Sequence, residues 1–266
     1  MKHARVIADG RFEEVVVEEE MVVTAAGRRY REEEVNWLPP IEPGTMLALA
    51  LNYGDHASEL ELERPEQPAL FPKLRNALVG HRGKIVRPSG VQFMHYENEL
   101  AVIIGRPARR VKAAEAYEYV KGYTIFNDLV VRDFVINHFR PPIKPKNFDT
   151  FGPMGPWWVD AADIGDPQEL ELRTLVNGEE RQRGNTRDML YKIPEIIEYV
   201  TEFMTLMPDD VLLTGTPKGI SHLRPGDTVR CEIEGIGALE NSVVAEPEDE
   251  PEDEVGVDRA AEGARA

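Results

Sequence analysis

The chain has 266 residues, 42% of them hydrophobic, enough for one large domain or a small domain beside a medium one, and it shows no internal repeat. Its formal net charge is −17 with no basic patch, which removes the phosphate neutralisation that nucleic-acid binding depends on and discounts that class. No run approaches the roughly 20 apolar residues of a membrane span, no apolar signal core opens the chain, and the lone Cys231 permits no internal disulfide, so a soluble cytoplasmic protein is expected.

In chain order, residues 1–45 read as short strands with charged alternation, such as Phe12-Glu13-Glu14-Val15-Val16-Val17. Pro39, Pro40, Pro43 and Gly44 then mark a linker, which predicts a small β module over 1–45 ahead of a main domain over 46–246. The apolar run Met46 to Leu51 reads as a buried strand and leads into Asn52-Tyr53-Gly54-Asp55-His56-Ala57-Ser58-Glu59. Asp55 suits a helix N-cap, which puts His56 and Glu59 three residues apart on one face of the first turn. The helix dipole disfavours a protonated imidazole there and Glu59 favours it, so the pair is poised for proton transfer; a solvated surface pair has the same spacing.

The segment His95-Tyr96-Glu97-Asn98-Glu99-Leu100-Ala101-Val102-Ile103-Ile104, answered by Phe126-Asn127-Asp128, carries the most chemistry. Period-two alternation puts Glu97 and Glu99 on one side of a strand, and the apolar run after them is that of a strand buried on both faces. Adjacent buried carboxylates repel unless something neutralises them, and a cation shared with a third acid does so. Glu97, Glu99 and Asp128 are therefore the candidate metal ligands. Oxygen-only donors favour a hard ion, Mg2+ or Mn2+, over zinc.

Helices are expected over Ala113 to Val120, Val131 to Phe139 and Pro194 to Met204. Between the last two, Lys144-Pro145-Lys146-Asn147-Phe148-Asp149-Thr150 reads as a Pro-bounded loop carrying cations, where Lys146 could offset negative charge on a substrate oxygen. Leu170 to Val176 reads as a strand entering a hairpin at Asn177-Gly178. Leu213-Thr214-Gly215-Thr216-Pro217-Lys218-Gly219 leaves a strand into a turn whose backbone N–H and hydroxyl groups could hold a carboxylate, and it lacks the spacing of a P-loop. Cys231 lies in a strand and is expected to pack. From Glu246 to Ala266 nine acids face two arginines, which predicts a disordered acidic tail over 247–266. The whole is an α+β, β-rich pattern.

The Asn-Tyr-x-x-His-x-x-Glu segment, the Tyr-Glu-x-Glu strand, Asn127-Asp128, Lys146 to Thr150, Gly178 through Asn185-Thr186, and Leu213 to Gly219 together resemble the fumarylacetoacetate hydrolase superfamily over about residues 45 to 245. The resemblance implies that superfamily's mixed β-roll with a small β-rich amino-terminal module, and a homodimer. It implies Mg2+ or Mn2+ on Glu97, Glu99 and Asp128, a catalytic dyad of His56 and Glu59, and substrate contact by Lys146. Asn52, Tyr53, Lys73, Arg132, Thr150, Gly215 and Thr216 are the further candidates for binding substrate, with Lys73 or Arg75 facing a distal carboxylate. Phe71-x-Lys73, Arg140-Pro141-Pro142 and Asp149 to Pro156 look most like bacterial enzymes of homoprotocatechuate breakdown. Those isomerise 2-hydroxyhepta-2,4-diene-1,7-dioate or 5-carboxymethyl-2-hydroxymuconate, and some decarboxylate 5-oxopent-3-ene-1,2,5-tricarboxylate. The alternatives are an acylpyruvate or fumarylpyruvate hydrolase, an oxaloacetate decarboxylase, or a metal-binding scaffold without turnover. Val135 stands where acylpyruvases tend to carry glutamine, which weakens the hydrolase alternative.

Overall fold

The computed structural model describes residues 1–59, 65–135 and 141–247, with only the backbone of His56 and Ala57. The expected acidic tail therefore falls outside the described residues from 248 onward. Strands dominate, as the short apolar runs require. The largest sheet follows the order Arg29–Arg31, Met21–Thr24, Arg11–Glu18, Lys2–Ala8, Gly152–Asp160, Val120–Asn127, Asn98–Ile104, Val211–Leu213, Met46–Ala50, Ala69–Pro72. The amino-terminal strands join it edge to edge, with Lys2 opposite Val159 and His3 opposite Trp158. A five-stranded sheet, in the order Glu179–Asn185, Glu171–Val176, Thr228–Ile233, Gly237–Ala245, Lys84–Arg87, packs its apolar residues into the same core.

Asn98–Ile104 is buried at every position, because the large sheet is covered on both sides: Leu100, Val102 and Ile104 enter one apolar cluster, Ala101 and Ile103 the other. Each fully buried leucine or isoleucine contributes about 1.5–3 kcal/mol by leaving water. That burial pins the register, since a slip of one residue would exchange the two faces. Cys231 is buried in the larger cluster, where it packs, and burial pushes its thiol up to about 12.

The hairpin at Asn177-Gly178 forms with φ of +52° and +80° at the two turn residues, the left-handed values that Asn and Gly accept. The expected carboxy-terminal helix is Ile193–Phe203, with Pro194 in its first turn and Ile196, Ile197 and Val200 facing the core. Other helical expectations are corrected. Ala113–Tyr119 is a 3-10 helix. The stretch expected as a helix from Val131 instead gives a bridge strand, Val130–Val131, and a 3-10 turn, Arg132–Phe134; residues 136–140 lie outside the described residues. Val130–Val131 pairs with Met94–His95, and that pairing outweighs the local helical pattern. The helix carrying His56 runs Gly54–Glu59, so Asp55 sits inside its first turn and is not the N-cap. Lys146 ends a short helix, Ile143–Lys146, within the segment expected as a loop. Among the described residues no helix is long and apolar enough to cross a membrane.

Candidate active site

The acids meet because two antiparallel strands end together. Asn98 lies opposite Asn127 and Glu99 opposite Phe126, so continuing the ladder by one step sets Asp128 opposite Glu97. Two hydrogen bonds hold that step: the Asp128 N–H donates to the Glu97 carbonyl at 2.8 Å, and the Glu97 N–H donates to Asn127 Oδ1 at 3.0 Å. The result is a cluster of Glu97, Glu99 and Asp128, all buried, each offering an oxygen within 4.8 Å of the others. Ligands about 2.0–2.6 Å from one hard cation stand at most about 4–5 Å apart, so the separation and the all-oxygen donor set both fit a single divalent ion.

Three cations surround these acids. Lys146 Nζ donates to Glu97 Oε2 and Asp128 Oδ2, both at 2.6 Å, and to the Asp128 carbonyl at 3.1 Å. Lys73 Nζ donates to Asp128 Oδ1 at 2.7 Å, to the Phe151 carbonyl at 2.9 Å, and to the Lys146 carbonyl. Arg132 Nη2 donates to Glu97 Oε1 at 2.8 Å. The two lysines shift in opposite directions. Burial works against the charge of both. On Lys146 the carboxylates of Asp128, Glu97 and Glu99 outweigh burial and raise its pKa, whereas Lys73, answered mainly by Asp128 and repelled by Lys146, is lowered. Glu99 is raised well above the usual carboxylate range by burial, then by Asp128 and Glu97; Lys146 and the Gly215 N–H oppose the shift. A buried carboxyl that resists ionisation beside two other acids is the arrangement that an added cation relieves.

Several residues expected to bind substrate are engaged inside the protein. Lys73 gives its hydrogen bonds to three internal acceptors with its side chain fully buried, so it holds Asp128 and does not face a distal carboxylate. Asn52 donates to the carbonyls of Tyr191 at 3.0 Å and Thr214 at 2.9 Å and accepts from the Tyr191 N–H at 2.8 Å, which makes it a clamp between loops. The Gly215 N–H is aimed at Glu99 Oε2, 2.8 Å away. Gly215 has φ +87°, and a Cβ there would meet Asn52 Cβ at 2.9 Å, so only glycine lets this turn approach. Thr216 Oγ1 accepts from Gln182 Nε2 at 2.9 Å, and Thr150 Oγ1 accepts from the Val86 N–H at 2.8 Å. Tyr53 is fully buried and its hydroxyl has no hydrogen-bond partner among the described residues; burial, then Glu99, raises its pKa. Arg75 is exposed and 3.9 Å from Glu42.

Glu59 is exposed and accepts from the Gly219 N–H at 3.0 Å, while the side chain of His56 lies outside the described residues. Three residues of the site were missed from the sequence. Asn127 orients Glu97, as above. Tyr96 donates its hydroxyl to the Gly219 carbonyl at 2.7 Å. Gln182 is buried under Thr216. A usable signal existed for Gln182: the strand Glu179–Asn185 holds no apolar side chain, so any residue it turns to the core must be polar.

The family profile described as fumarylacetoacetate (FAA) hydrolase C-terminal matches residues 45–244, the span that holds all of these groups. This chain belongs to the fumarylacetoacetate hydrolase family. Among the relatives of this family member, the 4-hydroxyphenylacetate degradation bifunctional isomerase/decarboxylase of Salmonella dublin is 49% identical over 224 residues, which are 84% of this chain and 52% of that protein. The chain spans about half the length of the curated isomerase/decarboxylases it matches. The crystal structure of 5-carboxymethyl-2-hydroxymuconate delta-isomerase from Mycobacterium smegmatis superposes with a TM-score of 0.83 at 38% identity, covering 93% of this chain and all of that one. The 2-hydroxyhepta-2,4-diene-1,7-dioate isomerase from Mycobacterium marinum also gives 0.83, at 34% identity and the same coverage. The strand-rich fold expected from the sequence is thus that of the fumarylacetoacetate hydrolase family.

Proposed function

We propose that this chain is a divalent-metal-dependent isomerase of 2-hydroxy-dienoate or 2-oxo diacids, of the class of 2-hydroxyhepta-2,4-diene-1,7-dioate and 5-carboxymethyl-2-hydroxymuconate, and that it can also decarboxylate a related 2-oxo acid. The observation that carries the proposal is the buried cluster of Glu97, Glu99 and Asp128 with Lys146 bridging two of its acids, in a chain whose relatives are isomerases and isomerase/decarboxylases. Glu97, Glu99 and Asp128 would hold Mg2+ or Mn2+. When bound, the ion supplies a Lewis acid for a chelating carboxylate and its neighbouring oxygen.

The chain's own residues supply the rest. Lys146, whose Nζ lies between Glu97 Oε2 and Asp128 Oδ2, acts as a fixed positive charge beside the oxygen on which negative charge develops. His56 takes the proton of the 2-hydroxyl group and returns one to a carbon of the conjugated chain, which turns the 2-hydroxy-diene into its 2-oxo-ene isomer with atoms and charge balanced. Glu59, fixed by the Gly219 N–H, orients the imidazole. A non-catalytic scaffold would need the acids alone, and Lys146 beside them favours catalysis. The proposal includes a cytoplasmic location and a homodimer, and light scattering on the purified protein tests the dimer.

The deciding experiment follows the diene absorbance of 2-hydroxyhepta-2,4-diene-1,7-dioate with Mg2+, with Mn2+ and with chelator. Metal-dependent loss of the band without cleavage products is expected. Pyruvate release from acylpyruvates would move the chain to the hydrolases, and stabilisation by metal without turnover would leave a scaffold.

A further inference from the structure

The strand Glu179–Asn185 is exposed along its first half, yet its fourth residue, Gln182, is 2% exposed. A bulge makes this possible: Thr174 faces Gln182 and Leu175 faces Glu180, so Arg181 is an extra residue and both Glu180 and Arg181 stay in solvent. The Gln182 amide makes three hydrogen bonds. Nε2 donates to the Pro217 carbonyl at 2.7 Å and to Thr216 Oγ1 at 2.9 Å, and Oε1 accepts from Thr174 Oγ1 at 2.8 Å. A proline carbonyl can only accept, so Nε2 must face it, and the amide orientation is fixed by chemistry. It follows that the Thr216 oxygen accepts from Gln182 and keeps its own proton to give elsewhere.

The turn that Gln182 grips also serves the two carboxylates most relevant to function. Its Gly215 N–H reaches Glu99 Oε2 at 2.8 Å and its Gly219 N–H reaches Glu59 Oε1 at 3.0 Å. Strand and turn lie close enough that a Cβ on Gly184 would sit 2.5 Å from Pro217 Cβ, and one on Gly219 2.7 Å from the Arg181 carbonyl. Buried, fully bonded amides of this kind hold a segment in one conformation.

We propose that Gln182 is a positioning residue. By clamping Thr216 and Pro217 it makes residues 214–219 one rigid segment, which presents Gly215 to the metal-site carboxylate Glu99, Gly219 to Glu59 of the proton-transfer pair, and the Thr216 hydroxyl as a donor. The inference rests on the metal-dependent function proposed above. Its test reads metal binding without substrate, by titrating Mn2+ and following the free-ion electron paramagnetic resonance signal, and separately reads kcat and KM.

Gln182→Met keeps the volume and removes all three hydrogen bonds. We expect Mn2+ affinity to fall about 10-fold, the scale of losses when partners that orient metal ligands are removed, with kcat falling more than KM. Thr174→Val leaves both Nε2 bonds and should cost much less. A folded Gln182→Met protein that binds Mn2+ as the unaltered protein does would overturn the proposal. If that variant does not fold, Thr216→Val, which removes one acceptor and spares Pro217, decides the matter: weakened Mn2+ binding supports the clamp and unchanged binding overturns it. Should the unaltered protein bind Mn2+ but turn over no diacid, the proposed activity fails while the clamp stands.

Discussion

Lys73→Met should lower stability and raise metal affinity together, and the size of each effect follows from the charges at the site. Glu97, Glu99 and Asp128 face three cations, Lys73, Lys146 and Arg132, so in the form with all three acids ionised, the form that would hold an ion, acids and cations are equal in number. Methionine fills nearly the same volume, which keeps the packing cost small. It leaves Asp128 Oδ1 and the Lys146 carbonyl without their Lys73 donor, and the Phe151 carbonyl with the Leu129 N–H, in a place where both side chains of the ion pair are fully buried. Removing one partner of a buried pair costs about 3–5 kcal/mol, and each kcal/mol moves the melting temperature of a domain of this size by about 2–4 °C. In chelator the variant should therefore melt about 6–20 °C below the parent. The fully ionised, metal-binding form of the cluster then has one cation fewer than in the parent, a deficit that a divalent ion relieves, so the melting shift produced by saturating Mn2+ should be larger in the variant than in the parent. Differential scanning fluorimetry in chelator and in Mn2+ measures both. Equal melting in chelator, or a smaller Mn2+ shift in the variant, would refute the charge balance.

The acids were legible because strand physics is strict. Period two put Glu97 and Glu99 on one side and Asp128 stood at the end of an apolar run, whereas the pairing that sets Asp128 opposite Glu97, one residue before the strand Asn98–Ile104, is visible only in the fold. Lys73 shows where such reading stops. In the sequence it is a cation after Phe71-Pro72 and looks free to meet a substrate. Its actual partner, Asp128, is 55 residues away and is brought near by the order of strands, which no local pattern encodes. Asn52, Thr150 and Thr216 follow the same logic. Their type marked them as binders of something polar, and the fold gives Asn52 three internal hydrogen bonds, while Thr150 and Thr216 each accept one and keep a hydroxyl proton to donate. Arg132 is the reverse case. The helix expected to aim it did not form, but pairing of Val130–Val131 with Met94–His95 brings it to Glu97 all the same. Proximity to the strand end outlasts a change of local conformation, since contacts across a sheet are held by many residues and a single turn by few.

Asp128→Asn keeps shape but removes a ligand charge, and it should abolish both the Mn2+-induced melting shift and metal-dependent turnover; a shift like the parent's would remove Asp128 from the metal site. His56→Ala should leave Mn2+ binding intact and lower kcat by about 10²–10⁴, the usual contribution of a general acid–base group, so an unaltered turnover number would dismiss the dyad. The last prediction concerns pH and a group far from the chemistry. His81 is 6% exposed, accepts the Glu240 N–H on Nδ1 at 3.0 Å, and is pushed down to about 3 by burial, then by Arg82 and Arg230. The folded protein thus keeps this imidazole neutral where the unfolded chain, near 6.5, takes up a proton. The stability it contributes is fully present above about pH 6.5 and is lost as pH falls from there toward 3, with a slope of up to about 1.4 kcal/mol per pH unit. His81→Gln can still accept from Glu240 but cannot titrate, so its stability by urea unfolding should decline less steeply between pH 6.5 and 4.5. Parallel declines in the two proteins would mean that the buried imidazole is not among the groups that set the acid limit of this fold.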